Sequence, residues 1–115
     1  MPYVPAQLES STHAVEVQAL VDSGAMVNVI PKRVGEMLGL DWAHGQPVQL
    51  GGNLAKAEAR VFTLSCVIPG LKPVQLEMNW SMLETAPVIF GQLDFFLQFD
   101  VCFSYAENEI SVRSR

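Results

Sequence analysis

Apolar and polar side chains alternate with a period of two over long parts of this chain. Residues 57–68 and residues 74–80 both follow this pattern, and the Pro- and Gly-containing turn at 69–73 separates them. A period of two places apolar side chains on one face of a β-strand, whereas one face of a helix repeats every 3.6 residues. The chain is therefore expected to be a mostly β protein in which neighbouring strands pair.

The other predicted elements are shorter. Val88-Ile89-Phe90 is a continuous apolar run, which is typical of a strand buried on both faces. Pro31 begins a helix that Gly39 ends, because proline suits the first helical turn and glycine the position after the last. Further strands are predicted at 13–21, 27–30, 46–50, 101–105 and 109–112, and a second helix at 92–99.

Length and composition limit the class of protein. A chain of 115 residues, with 50% hydrophobic and 17% charged residues, is long enough for one domain with one core, and is not typical of disorder. The net charge is −5, and among the seven basic residues only Lys32 and Arg33 are adjacent. This distribution lacks the basic patch of a nucleic-acid-binding protein, so no nucleic-acid partner is expected.

Targeting and metal-binding patterns are absent from the sequence. Residues 1–20 do not combine a basic region with a long apolar segment, and no run approaches the roughly 18 apolar residues of a membrane span. A cytoplasmic location follows as the expectation. Cys66 and Cys102 are far apart without a C-x-x-C motif, which favours free buried thiols over a disulfide. His13 and His44 have no ligand spacing around them, so neither a metal nor a cofactor is expected.

The tetrapeptide Asp22-Ser23-Gly24-Ala25 is the strongest functional signal. It ends the apolar strand at residues 15–21 and precedes the apolar stretch at 26–30. Asp, Ser and Gly are ordinary turn residues, so the motif by itself also fits a simple turn. A carboxylate at the end of a buried strand is costly unless it is hydrogen-bonded, paired or used in catalysis. Asp22 is therefore the candidate catalytic residue.

Three blocks together resemble the retropepsin-like aspartic proteases, the single-lobe family that includes the retroviral enzymes. Residues 19–25, Ala-Leu-Val-Asp-Ser-Gly-Ala, match the family's apolar-apolar-D-[ST]-G-A signature. Residues 88–91, Val-Ile-Phe-Gly, match the apolar-Gly block that precedes the family's C-terminal helix, and residues 94–101 are similar to the helix-then-strand ending of bacterial members. The resemblance covers about residues 13–113. It implies a closed β-barrel with a flap hairpin and one or two short helices, one lobe per chain.

The resemblance also implies a mechanism. Two Asp side chains activate one water, and two carboxylates roughly 3 Å apart at an effective dielectric near 20 repel by about 5 kcal/mol, so they share a proton. Ser23, Gly24 and Ala25 would support Asp22. Gly51, Gly52 and Asn53 would form the flap over an extended peptide or polyprotein substrate. Met26, Ile89 and Phe90 would line the substrate groove.

One chain does not supply both catalytic residues. Of the other aspartates, Asp94 lies in the predicted second helix, and Asp41 and Asp100 stand in no second D-[ST]-G motif. The second carboxylate would be Asp22 of another copy, which predicts a two-fold homodimer. Residues 13–115 would form the protease domain and residues 1–12 an N-terminal segment at the dimer interface, with 109–113 as another candidate.

Two positions depart from the family pattern. Met26 stands where the family often has an acidic or small polar residue, and Gln92 where it often has Arg, so the ion pair of retroviral members is absent. Losing both charges together is nearly neutral for folding, but it bears on the strength of the dimer. A catalytically weak or inactive dimerisation or peptide-binding module on the same fold is therefore the alternative function. An unrelated β-rich binding domain is a third.

Overall fold

The computed structural model describes residues 3–50, 57–92, 94–104 and 109–115. In chain order the elements are β1 (Tyr3–Glu9), β2 (Ala14–Val21), β3 (Asn28–Ile30), α1 (Lys32–Met37), β4 (Gln46–Leu50), β5 (Ala57–Val67), β6 (Val74–Ser81), β7 (Val88–Phe90), α2 (Phe95–Gln98), β8 (Phe99–Ser104) and β9 (Glu109–Ser114). A single 3-10 turn at Trp42–His44 precedes β4. The mostly β architecture predicted from the alternation is confirmed.

A closed barrel forms the centre of the described structure. Its strands follow the order β1-β2-β7-β3-β6-β5, and pairing of β1 with β5 closes the ring of six strands. The short strand β7 lies between β2, to which it is parallel, and β3, to which it is antiparallel. The loops that follow β2 and β7 are therefore held side by side at one end of the barrel.

The N-terminal strand belongs to this barrel. β1 pairs with β2 along its whole length, and Gln7–Glu9 pair with β5. Pro5 faces Gln18 of β2 and lies outside the stretch paired with β5, which agrees with the preference of proline for positions with one strand neighbour. The N-terminal segment is thus not separate from the domain. Its part in a dimer interface stays a prediction.

The barrel interior holds the main hydrophobic core. The predicted face of β5 points inward, with Leu64 and Cys66 buried and Phe62 partly buried against the core. Trp80 of β6 is buried, donates its indole N–H to the Lys32 carbonyl at 3.2 Å, and packs edge-on against Trp42. Both tryptophans are therefore packing residues.

The two helices are short, and the second differs from its prediction. Gly39 follows α1 with φ +69°, a left-handed conformation that suits glycine. α2 spans Phe95–Gln98 rather than 92–99, because the chain turns before it and Phe99 already pairs in β8. Phe95 and Phe99 are buried in the core. Within the described ranges, no helix has the length and apolar character needed to cross a membrane.

The two cysteines differ in environment. Cys66 is buried and Cys102 is exposed on β8, and both are free. The expectation of free thiols is confirmed, but the expectation that both are buried is wrong for Cys102. β8 and β9 form a separate two-stranded sheet. Cys102 pairs with Ser111 of β9, and both residues are exposed, so they lie on the face of this sheet that is turned away from the core.

Candidate active site

The Asp22–Ala25 loop leaves the barrel where β2 ends. The Asp22 N–H donates to the Phe90 carbonyl at 3.0 Å, which continues the pairing of β2 with β7 by one residue. The Ala25 N–H then donates to the Asp22 carbonyl at 3.1 Å and closes a tight turn. The backbone of Asp22 is thus fixed on both sides of the residue.

The Asp22 side chain is half-buried and turned into its own loop. Its Oδ1 accepts a 2.8 Å hydrogen bond from the Gly24 N–H. A Cβ at residue 24 would lie 3.2 Å from the same oxygen, a tight contact that glycine avoids. Oδ2 accepts no hydrogen bond from the described part of the chain. The carboxylate is therefore held at one oxygen, and its other oxygen is free to contact water or a second carboxylate.

The turn after β7 is hydrogen-bonded to the Asp22–Ala25 loop. The backbone N–H of Gln92 donates to the Ala25 carbonyl at 2.9 Å, and the Gln92 side-chain amide donates to the Ser23 carbonyl. A Cβ on Gly91 would lie only 2.6 Å from the Val27 carbonyl oxygen and 2.9 Å from that of Ala25. Gly91 is thus required by the close approach of two backbone segments, and a neutral amide supports the loop where the family often has Arg.

A buried polar network lies behind the turn. Asn28, 1% exposed, accepts the Gly91 N–H at its Oδ1 (2.8 Å) and donates from Nδ2 to the Glu77 carbonyl (3.1 Å) and to Asp94 Oδ2 (3.2 Å). Asp94 Oδ2 also accepts the Glu77 N–H at 2.6 Å, and Asn79 donates to the Asn28 carbonyl at 2.9 Å. These contacts tie the turn to β3 and β6.

Sequence reasoning missed this network. Asp94 was assigned only to the second helix, yet it stands just before α2, and its carboxylate contacts β6 instead of capping the helix. A signal was present in the sequence: Asn28 stands between Val27 and Val29 in the predicted strand at 27–30, within an apolar stretch. A buried amide must find partners, so it should have been paired with another polar side chain.

The expected groove residues occupy different environments. Met26 is 58% exposed beside the Asp22 loop, so it is not a core residue. Ile89 is half-buried and packs on a small cluster around Val29. Phe90, by contrast, is fully buried and stacks on Phe95 with ring centroids 4.4 Å apart. The Phe90 side chain therefore lies in the core rather than facing a groove, and this residue reaches the site through its backbone carbonyl.

Apart from Ile89, the members of the small cluster are apolar residues that the sequence did not single out for the site. Buried Val29, Leu50 and Ala59 form it, with Val27 and Val48 partly buried against it beside Ile89. It joins β3, β4, β5 and β7 next to the Asp22 loop.

The flap residues Gly51, Gly52 and Asn53 lie outside the described residues. The two strands that lead to them are described: β4 and β5 pair antiparallel from Gln46 opposite Val61 to Leu50 opposite Ala57. The flap at residues 51–53 stays a prediction.

Other nucleophile and ligand arrangements find little support. His13 contacts Thr12 through Nδ1 at 2.8 Å, and His44 lies 3.6 Å from Asp41, so each histidine has a local partner away from Ser23. Burial, with a smaller contribution from the Asp94 charge, raises the pKa of the Cys66 thiol to about 12 and keeps it protonated. Across the described residues, no three His, Cys, Asp or Glu side chains are grouped to hold a metal ion.

Three solved structures resemble this chain over most of its length. A retropepsin-like aspartic protease from Rickettsia conorii matches with a TM-score of 0.68 and 18% identity, over 96% of this chain and 78% of that one. The retroviral protease-like domain of Ddi1 from Leishmania major matches with a TM-score of 0.67 and 20% identity, over 96% and 86%. EIAV protease in complex with the inhibitor HBY-793 matches with a TM-score of 0.58 and 17% identity, over 78% and 80%.

These likenesses define the class of fold. The chain has the retropepsin-like fold, as the sequence resemblance predicts. No protein-family model matches the sequence, and no curated protein sequence is detectably similar to it. At 17% to 20% identity the match concerns the fold, and the activity has to be argued from the site.

Proposed function

We propose that this chain is an aspartic endopeptidase that hydrolyses extended polypeptides as a homodimer, with one Asp22 from each subunit. The observation that carries the proposal is the placement of Asp22. Its backbone is fixed to β7, its carboxylate is half-buried and held by the Gly24 N–H, and it stands at the end of a barrel strand in a retropepsin-like fold.

The chemistry follows from bringing two such carboxylates together. At about 3 Å their repulsion is about 5 kcal/mol, so the pair holds one proton between them. The ionised carboxylate takes a proton from a bound water, which attacks the scissile carbonyl carbon. The protonated carboxyl donates to the carbonyl oxygen, and no covalent intermediate with the protein forms.

The loop architecture suits this role. Ser23 and Gly24 are exposed in the single chain, so both are available to a second copy across the two-fold axis. The apolar residues Val27, Val48 and Ile89 would line the groove, with exposed Met26 at its rim. An extended peptide would bind in this groove by main-chain hydrogen bonds and be covered by the flap at residues 51–53.

The alternative is a dimerisation or peptide-binding module with little turnover. One observation favours it: the uncharged residues Met26 and Gln92 stand where retroviral members have an ion pair near the site. The fold would then be retained for binding, because packing and pairing do not depend on catalysis.

Cleavage of an unfolded protein mixture between about pH 4 and pH 7 tests the proposal. Asp22→Asn should abolish cleavage, since an amide neither takes a proton from water nor supplies one to the carbonyl. Asp41→Asn and Asp100→Asn are matched controls: Asp41 accepts a local hydrogen bond from Ala43, and Asp100 forms a surface ion pair with Arg115. Cleavage that persists in Asp22→Asn contradicts the proposal, and a stable wild-type dimer that never cleaves supports the binding module.

A further inference from the structure

The side chain of Asn28 is buried in the barrel wall, and both ends of its amide group form hydrogen bonds. It is 1% exposed, and both its oxygen and its nitrogen hydrogen-bond to the turn after β7 and to β6. An unpaired amide at this depth would cost about 1–3 kcal/mol, so these partners fix the orientation of the Asn28 side chain.

The partner on the turn is the carboxylate of Asp94. Oδ2 of Asp94 receives the Asn28 amide at 3.2 Å and the Glu77 N–H at 2.6 Å. The carboxylate does not cap α2, although it stands at the position from which it could. The hydrogen bonds of Asp94 therefore connect the turn to β3 through Asn28 and to β6 through Glu77.

The same turn sets the place of the Asp22 loop. Asn28 Oδ1 accepts the N–H of Gly91, and the residues on either side of Gly91 bond to the loop: Phe90 accepts from Asp22, and Gln92 donates to Ala25. The chain of contacts from Asp94 to Asn28 to Gly91 thus ends at the backbone of Asp22 and Ala25.

We propose that Asn28 and Asp94 form a positioning pair that sets the placement of the Asp22 carboxylate through Gly91. Neither residue contacts the reacting atoms, so they are positioning residues and not catalytic ones. A polar pair with one buried and one partly exposed member gains little stability over apolar packing of the same shape, but its directional bonds fix one register of the turn. The inference rests on the proposed aspartic protease function.

In the hydrogen bond between the two residues, Asn28 is the donor and Asp94 the acceptor, and exchanging the two side chains reverses these roles. Asn28→Asp alone sets a carboxylate against Asp94, so the pair loses its donor and gains repulsion, and the Glu77 carbonyl loses its donor as well, while the acceptor for the Gly91 N–H is kept. Adding Asp94→Asn removes the repulsion and supplies an amide that donates to residue 28, which restores the hydrogen bond between residues 28 and 94. The Glu77 N–H, which shares Asp94 Oδ2 with Asn28, then loses its acceptor. The single and double variants therefore form a double-mutant cycle.

The experiment measures kcat and KM of the dimeric protein well below its melting temperature. Asn28→Asp should lower kcat by about 10- to 100-fold with KM changed less than about threefold, because a small displacement of a reacting group has this effect. The double variant should have a kcat at least about threefold above that of Asn28→Asp, because the contact between residues 28 and 94 returns while the contacts to Glu77 do not. Val15→Ala is the control: Val15 is buried at the other end of β2, about 20 Å from Val21, and should lower stability without changing kcat.

A second readout does not depend on activity. Backbone amide exchange at Asp22 and Gln92, whose N–H groups bond to Phe90 and Ala25, should accelerate at least about tenfold in Asn28→Asp relative to the amide of Leu64, and slow again in the double variant. If the wild type does not cleave, the proposed function fails. The exchange pattern alone then tests whether Asn28 and Asp94 position the Asp22 loop.

Two outcomes would overturn the inference. In the first, Asn28→Asp lowers the melting temperature but leaves kcat and local amide exchange unchanged, which would mean that Asn28 has a purely structural role. The second is a double variant that recovers neither kcat nor exchange protection, which shows that residues 28 and 94 are not coupled.

Discussion

The backbone N–H of Asp22 donates a 3.0 Å hydrogen bond to the carbonyl oxygen of Phe90. This bond joins the two motifs of the sequence, the D-S-G-A tetrapeptide and the apolar-Gly block, at the end of two parallel strands. The site therefore depends on how closely the turn after β7 approaches the Asp22 loop.

Gly91 limits that approach, and Gly91→Ala should disrupt it. The added Cβ would lie 2.6 Å from the Val27 carbonyl oxygen, so backbone has to move. We expect a loss of about 1–3 kcal/mol in the free energy of unfolding, measured with urea, together with a fall in kcat.

Gly70→Ala is the matched control for this prediction. Gly70 has φ +82° but open space around its Cβ position, so its substitution should cost about 1 kcal/mol through backbone strain and leave kcat unchanged. Equal activity of the two variants would contradict the importance of the close approach.

The uncharged pair Met26 and Gln92 should limit the strength of the dimer. Met26→Asp alone adds a carboxylate without a partner, whereas Met26→Asp with Gln92→Arg restores the ion pair that the family resemblance describes. We expect the dimer Kd, measured by sedimentation, to rise about tenfold in the single variant and to return to the wild-type value or lower in the double variant. A Kd that does not differ between the two variants would show that these residues do not interact.

The Cys66 thiol should make the protein sensitive to alkaline pH. Burial raises its pKa from 9.0 to about 12, so above pH 9 the unfolded chain loses this proton while the folded protein keeps it. The stabilising contribution is complete below about pH 9 and is lost as the pH rises toward 12, by about 1 kcal/mol per pH unit in this range. Cys66→Ala should show a shallower fall of unfolding free energy between pH 8 and pH 10, and an identical fall would contradict the assignment.

The two thiols should also differ in reactivity in the native state. Cys102 is exposed on β8, and Cys66 is buried with a raised pKa. A thiol reagent at neutral pH should modify Cys102 rapidly and Cys66 only after unfolding, since the thiolate is the reactive form. Rapid modification of both cysteines in the native protein would contradict the burial of Cys66.

The strands were predictable because their chemistry is local. The alternation of β5 and β6 follows directly from burial of one face, and the bounds 46–50 of β4 match the structure. Closure of the barrel by β1 was not predictable in this way, because pairing of Gln7–Glu9 with β5 joins segments far apart in the chain. Pro5 itself pairs with β2 alone, but β1 gains β5 as a second neighbour from Gln7 onward.

The candidate site was predictable only in part. Asp22 stands in a motif that can be found in the sequence, but the Asn28–Asp94 pair joins residues 66 positions apart, and neither has a local signature for the other. α2 also ends where Phe99 enters β8. This end is set by the pairing of β8 with β9 and not by helix propensity, so it could not be predicted from the local sequence.

The central claim is that one active site needs Asp22 from two chains. Mixing wild type with the Asp22→Asn variant at constant total concentration, with time for subunits to exchange, tests it directly. If both carboxylates are required, only wild-type homodimers cleave, so activity should follow the square of the wild-type fraction and fall to about a quarter in an equal mixture. Activity proportional to the wild-type fraction, about half in that mixture, would mean that one chain suffices and would contradict the account.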